Sequence, residues 1–227
     1  TREGLADSGI SDSDTGLGKL SAYIDLRKPE EVELLRSLIR SGDVFSQSYR
    51  PGSLANRGFS PEALAKLRPG IVYVTLSAWG HEGPWRMRRG YDTVVQSANG
   101  LALQGLVRKS EFLSVSAQDY IAGYLLAFGA MVALARRARE GGSWLVRTSL
   151  ASAGHWIRSH GLMTPQEYGG IPAEFPADEL RALLTDSDSP AGRLTHLRPA
   201  VQMSETPPRW ARPAVPLGHN TPAWPTR

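Results

Sequence analysis

In the first half of the chain, short apolar runs alternate with apolar residues at helical spacing. Ala22-Tyr23-Ile24-Asp25-Leu26 reads as a short strand, and Pro29 opens a helix in which Val32, Leu35, Leu38 and Ile39 recur on one face. Val44-Phe45-Ser46 is the next strand. Ser60-Pro61-Glu62-Ala63 combines an N-cap with a first-turn proline for a helix to Leu67, and Ile71-Val72-Tyr73-Val74-Thr75-Leu76 is the clearest strand in the sequence. Strand, helix, strand, helix, strand implies an α/β fold with a parallel sheet. Beyond Tyr91 the pattern becomes mainly helical, with helices expected over 92–103, 118–139 and 150–160 and a strand over 144–147. After Met163 the periodicity fades into proline-rich, polar sequence. One helix is expected there over 177–184, and a turn at Asp186-Ser187-Asp188-Ser189-Pro190. Residues 1–163 are therefore read as the core. Residues 164–227 are read as an extended tail packing on it, because Trp210, Val215, Leu217 and Trp224 are too sparse to bury a second core.

The chemistry concentrates at the start of the 118–139 helix. Asp119 is the only charged side chain between Glu111 and Arg136. Small and large apolar residues alternate around Gly123 and Gly129, as in a tightly packed interior helix. Arg136, Arg137 and Arg139 followed by Gly141-Gly142 form a cationic last turn and a stop. An acid in the first turn sits at the positive end of the helix dipole. Unpaired backbone N–H groups would hold it ionised while the apolar wall removes water, which suits a nucleophile or a base. Ser116-x-x-Asp119 also has the spacing of a capping box, in which the acid only satisfies an amide, and the segment by itself leaves both readings open. The uncharged run 120–135 raises a transmembrane question. It falls short of about 18 to 20 strongly apolar residues and is rich in Ala and Gly, so it is read as buried in protein.

Composition narrows the class. Among 227 residues, 41% are hydrophobic and 21% charged, enough for a soluble protein of one compact domain, or one with a small appendage. The absence of cysteine excludes disulfides and thiolate metal sites and fits a reducing, cytoplasmic setting. Thr1-Arg2-Glu3-Gly4-Leu5 carries no initiator methionine or apolar leader, so it is not an intact secretory signal and reads as a cut end. A net charge of +4 favours anionic partners. Arginines gather at Arg50, Arg57, Arg68, Arg86, Arg88 and Arg89 without an aromatic ribbon or a nucleic-acid-binding motif, which points to a phosphorylated cofactor rather than nucleic acid. His81, His155, His160, His196 and His219 have neither metal-site nor Ser-His-Asp spacing, and no metal is assigned. Gly16-x-Gly18-Lys19 lacks the spacing of a phosphate loop and reads as a backbone turn, leaving Lys19 a minor cofactor candidate.

Several segments then resemble a known family in order and spacing: Asp14-Thr15-Gly16-Leu17-Gly18-Lys19-Leu20-Ser21-Ala22-Tyr23-Ile24-Asp25-Leu26; Tyr49-Arg50-Pro51-Gly52 with Gly58-Phe59; Gly83-Pro84 with Arg89-Gly90-Tyr91-Asp92 and Gln96; and the Asp119 helix. Together they are similar to the family III CoA-transferases, the group of formyl-CoA transferase, carnitine CoA-transferase and 2-methylacyl-CoA racemase. The resemblance covers about residues 14 to 152, with a weaker echo at Pro207, Pro208, Trp210, Pro216-Leu217-Gly218 and His219.

That resemblance implies a Rossmann-like sheet, an interlocked homodimer and coenzyme A as acyl carrier between an acyl-CoA and a carboxylic acid. No metal, nucleic acid or membrane partner is implied. Asp119 would be the nucleophile, passing through a mixed anhydride and an aspartyl-CoA thioester. Ser48, Tyr49 and Arg50 would line the CoA groove, Tyr49 flanking the adenine or pantetheine and Arg50 binding a phosphate. Pro51-Gly52 would make a turn there in any case, and Ser48 stands where the family commonly has asparagine. Arg89 and Tyr91 would approach the cofactor and the catalytic acid. Two alternatives remain: a 2-methylacyl-CoA racemase, whose branch carries Gly-His-Asp where this chain has Gly90-Tyr91-Asp92, and an inactive CoA-binding protein. Against the family pattern, the first strand, its glycine-rich turn and a helix are missing before Thr1, and the larger middle domain has no counterpart after Gly161. The 227-residue piece is accordingly expected to expose a strand edge and to bind CoA poorly alone.

Overall fold

A computed structural model describes residues 14–103, 112–113, 115–161, 163–172 and 174–225. In chain order its elements are α1 (Pro29–Arg40), β1 (Val44–Gln47), α2 (Pro61–Leu67), β2 (Val72–Ser77), α3 (Asp92–Asn99), α4 (Ala117–Glu140), β3 (Trp144–Ser149), α5 (Leu150–Ser159), α6 (Pro165–Tyr168), α7 (Ala177–Leu183), β4 (Leu184–Ser189) and β5 (Gly192–Leu197). They fall into two compact units. One is Ile39–Gly170, and the other joins the residues up to Leu38 with those from Ile171 onward.

The first unit is a mixed α/β fold on a parallel sheet of order β1-β2-β3, with Val44 opposite Val72 and Val72 opposite Trp144. β2 is central and buried at Val72, Tyr73, Val74, Thr75 and Ser77, which is why its sequence is a nearly unbroken apolar run. On one face Val72 and Val74 pack with Leu126 and Ala133 of α4, joined by Ala130, Leu134, Trp144 and Val146. α4 lies close to β3 at Gly129, where a Cβ would come within 2.6 Å of Val146 Cγ1. On the other face the Tyr73 ring meets Phe45 at 5.3 Å, and its hydroxyl donates to Phe59 O at 3.1 Å. α2 begins as the sequence predicts: Ser60 Oγ accepts from Ala63 N at 3.2 Å, with Pro61 in the first turn. A second cluster of Val95, Ala122, Leu150 and Ala153 fastens α3, α4 and α5 together.

Three expectations are corrected in this unit and its lead-in. Residues 22–26 form no strand, because no ladder partner lies beside them among the described residues; Ser21 is tied instead to Asn220, which donates to Ser21 O at 2.7 Å. The helix expected over 92–103 stops at Asn99. Gly100 takes φ +81°, the left-handed conformation that ends a helix, and a short 3₁₀ turn follows at Leu101–Leu103. α4 is long and apolar enough to cross a membrane, but it is not an interior helix. Gln118, Ala122, Leu126 and Ala133 are buried, while Tyr120, Tyr124, Phe128 and Met131 are exposed. The sheet covers one stripe of a helix that is apolar all round.

In the second unit, Lys19 N donates to Gly16 O in a turn, Gly18 N donates to Arg212 O, and Trp224 Nε1 donates to Leu38 O at 3.0 Å. The tail is not purely extended. β4 and β5 form an antiparallel hairpin turning at Pro190-Ala191, so the expected turn is displaced to its last residue and one beyond. Polar pairs build this hairpin: Asp186 accepts from Arg193 Nη2 and Thr195 Oγ1, both at 2.7 Å. Such pairing leaves no hydrophobic period in the sequence.

Candidate active site

A cleft of about 790 Å³ opens where the chain leaves the C-terminal ends of β1 and β2, the usual position for ligands on a parallel sheet. Its first wall follows β1. Gln47 Oε1 accepts from Tyr49 N at 2.8 Å while its amide nitrogen donates to Thr75 Oγ1, so the chain is held against β2 as it turns away. Ser53 N then donates to Arg50 O at 2.9 Å across a turn with Pro51 and Gly52 at its centre. Gly52 has φ +81°, which a type II turn requires at this position. The turn and the cleft wall are therefore the same structure.

The second wall follows β2. Ser77 Oγ accepts from Gly80 N at 3.0 Å, and the loop returns through an edge-on pair of Trp79 and Trp85, centroids 4.9 Å apart, with the Arg88 guanidinium 4.6 Å over the Trp85 ring. Trp79 Nε1 donates to Arg89 O at 3.0 Å. A side chain at residue 90 would meet Ala78 Cβ at 2.7 Å, so glycine is needed for Arg89 and Tyr91 to reach the cleft.

Ser48, Tyr49, Arg50, Arg89 and Tyr91 all line this one cleft, with Met87 and Arg88 beside them. Tyr49 and Tyr91 are exposed, at 53% and 75% of their full surface. Arg50, Arg88 and Arg89 belong to the lining and, among the described residues, no carboxylate does, which gives it an anion-attracting character. Lys19 sits in the backbone turn of the other unit.

Asp119 is not part of the cleft lining; it stands in the first turn of α4, as the sequence predicts. The link between them is one residue. Tyr91 lines the cleft, and Asp92 beside it opens α3 with a buried carboxylate. Asp92 Oδ2 accepts from the backbone N–H groups of both Gln118 and Asp119, at 2.9 and 3.0 Å, and Oδ1 accepts from the Gln96 amide. Gln96 Oε1 in turn accepts from Leu113 N at 2.9 Å. The buried Gln118 side chain lies between Asn99 and Leu150, and Gly154 of α5 has no room for a Cβ against that amide pair.

This geometry corrects the electrostatic expectation for Asp119. Ser116 makes no side-chain cap, so the capping box does not form, and Asp92 takes the amides that were expected to hold Asp119 ionised. Asp119 keeps an exposed edge, but partial desolvation by the surrounding chain, and then the negative charge of Asp92, push its carboxyl above the ordinary range. The result is a carboxylate that is harder to ionise but more basic and more nucleophilic once ionised. Sequence reasoning quoted Asp92 and Gln96 only as motif letters. Their polar side chains, with that of Asn99, recur at i, i+4 and i+7 on a helix that also carries core residues, and that was the available signal. Among the described residues no three His, Asp or Glu side chains gather as a metal would need.

Residues 13–179 match CoA-transferase family III. The chain is 34% identical over 125 residues to the succinyl-CoA–D-citramalate CoA-transferase of Chloroflexus aurantiacus, covering 54% of this chain and 31% of that protein. It is 27% identical over 176 residues to the acetyl-CoA:oxalate CoA-transferase of Acetobacter aceti, covering 75% and 45%. Among solved structures, a point mutant of Rv3272 from Mycobacterium tuberculosis superimposes with a TM-score of 0.78 at 16% identity, covering 93% of this chain and 83% of that one. A CAIB/BAIF family protein from Brucella suis gives 0.64 at 24% identity, covering 85% and 52%. These two likenesses are of fold. The chain spans between about a third and a half of the length of the two curated relatives.

Proposed function

Because this chain belongs to CoA-transferase family III, we propose that it supplies the CoA-binding wall and the nucleophile of an enzyme that moves CoA from an acyl-CoA to a carboxylic acid. One observation carries the reading: a cleft is lined by Tyr49, Arg50, Arg89 and Tyr91, and the residue after Tyr91, Asp92, accepts from the backbone N–H of Asp119 in the first turn of α4. The arginines suit the phosphates of CoA and the exposed tyrosines suit its adenine or pantetheine, with Ser48 beside them.

The Asp119 carboxylate attacks the thioester carbonyl of the donor; the carbon–oxygen bond forms, the carbon–sulfur bond breaks, and the electron pair leaves on the CoA sulfur. The thiolate then attacks the Asp119 carbonyl of this mixed anhydride, releases the donor acid and leaves an aspartyl-CoA thioester. An acceptor carboxylate attacks that thioester carbonyl and expels the thiolate again. In the last step the thiolate attacks the acceptor's acyl carbon, which yields acceptor-CoA and restores the Asp119 carboxylate. Each attack consumes a carboxylate or thiolate charge and regenerates one, so no net proton is needed. A raised basicity favours the first attack, provided the pH keeps Asp119 ionised.

The test is direct. Asp119→Ala in the purified full-length protein should lower turnover by at least about a thousandfold, and hydroxylamine added during wild-type turnover should label Asp119 alone. In deuterated water the same assay should show no α-proton exchange in a 2-methylacyl-CoA, since this chain has Tyr91 where the racemase branch has a histidine. Near-normal turnover by the variant would remove Asp119 from the reaction, and rapid exchange would replace the transferase reading with a racemase.

A further inference from the structure

Burying a carboxylate is costly unless donors surround it, and Asp92, 3% exposed, has three: the amides of Gln118 and Asp119 and the side chain of Gln96. A neutral cap was at hand, since Ser116 occupies the N-cap position of α4 with its hydroxyl unused for capping. The helix start is instead held by a full negative charge reaching across from α3. We propose, resting on the function above, that Asp92 is a positioning residue for CoA transfer: it locks the first turn of α4 to the cleft wall and keeps a fixed charge beside the nucleophile.

Two consequences distinguish this from an ordinary cap. With the first-turn amides already satisfied, Asp119 is not drawn back onto its own helix and its carboxylate stays available for reaction. Two neighbouring carboxylates also repel each other in the resting state. When Asp119 attacks the thioester its charge leaves with the CoA sulfur, and the repulsion ends. Asp92 thus raises the ground state relative to the anhydride, a difference that a serine cap could not supply. Among the described residues, the other elements around this turn bring no competing anion. α5 carries His155 and Arg158, both exposed, with Arg158 donating to Asn99 O, and Arg89 is on the cleft loop.

Asp92→Asn in the full-length protein keeps the shape and an acceptor oxygen but removes the charge. Its plateau kcat should fall by about tenfold or more, while KM for acyl-CoA changes by less than about twofold. The acid limb of the pH profile should move to lower pH. A carbon-13 titration of the Asp119 carboxyl should move the same way, whether or not the protein turns over. An unmoved titration and acid limb would overturn the proposal even if activity fell, because a purely structural cap predicts that pattern. Wild-type protein without transfer activity would instead refute the proposed function, leaving the titration to decide whether Asp92 governs Asp119. Should the variant not fold, hydrogen exchange on the wild type decides: the Gln118 and Asp119 amides should be protected by about a hundredfold or more over other first-turn amides, and exchange at the open rate would overturn the assignment.

Discussion

Asp119 stands in an environment that works against its charged form. Partial desolvation and the Asp92 charge raise its folded pKa above the unfolded value, so its protonated form favours folding and its ionised form opposes it, by a small amount because the side chain is exposed and screened by solvent. The favourable contribution is fully present below the unfolded pKa of about 3.9 and is lost as pH rises through the higher folded value. Asp119→Asn, which keeps the neutral shape, should therefore melt at a higher temperature than wild type at neutral pH while losing transfer activity. The gain should shrink as the pH falls through the folded pKa and vanish below the unfolded one. Thermal melts of both proteins across that range check it, and a variant less stable at neutral pH would show that Asp119 contributes a favourable charge interaction. This is the familiar opposition of stability and function at a reactive group.

At the scale of elements, the glycines of α4 separate packing from propensity. Gly129 faces Val146 so closely that a methyl group would come within 2.6 Å of it, whereas Gly123 has nothing within 4 Å. Gly129→Ala should cost about 1 to 3 kcal/mol by forcing α4 off β3. Gly123→Ala should stabilise by about 0.5 to 1 kcal/mol, since an open helical glycine gives up only conformational entropy. Denaturant titration of the pair measures both, and equal effects would mean that α4 does not lie against β3 as described. Leu126, Ala130, Ala133 and Leu134 seat α4 on the sheet, and the row of Tyr124, Phe128 and Met131 lies exposed away from it.

For the whole molecule, the cleft depends on two strand exits placed side by side by the parallel sheet. Arg50 follows β1 and Arg89 lies on the loop after β2, 39 positions apart in sequence yet on one cleft. Because exposed charges act through screened water, replacing either arginine with alanine should weaken CoA binding by about tenfold and flatten its dependence on salt. Calorimetric titration at two ionic strengths reads both effects. Unchanged affinity in the Arg50→Ala, Arg89→Ala double variant would place the phosphates of CoA elsewhere.

The parallel α/β class was legible because β2 carries an unbroken buried run and α2 its own capping signals, and both are local properties of adjacent residues. The first-turn position of Asp119 and the five cleft residues were legible through motif order. What the sequence could not carry is anything that depends on a partner far along the chain. Residues 22–26 have strand composition and no strand to pair with among the described residues, β4 and β5 pair through polar groups without an apolar period, and α4 carries a long apolar middle but packs on one side only. The decisive case is Asp92. A serine three residues before Asp119 looked like its cap, and folding gave that place to a carboxylate 27 residues upstream. A hydrogen bond is chosen by distance in space, so the surroundings of Asp119 were settled only when α3 and α4 met.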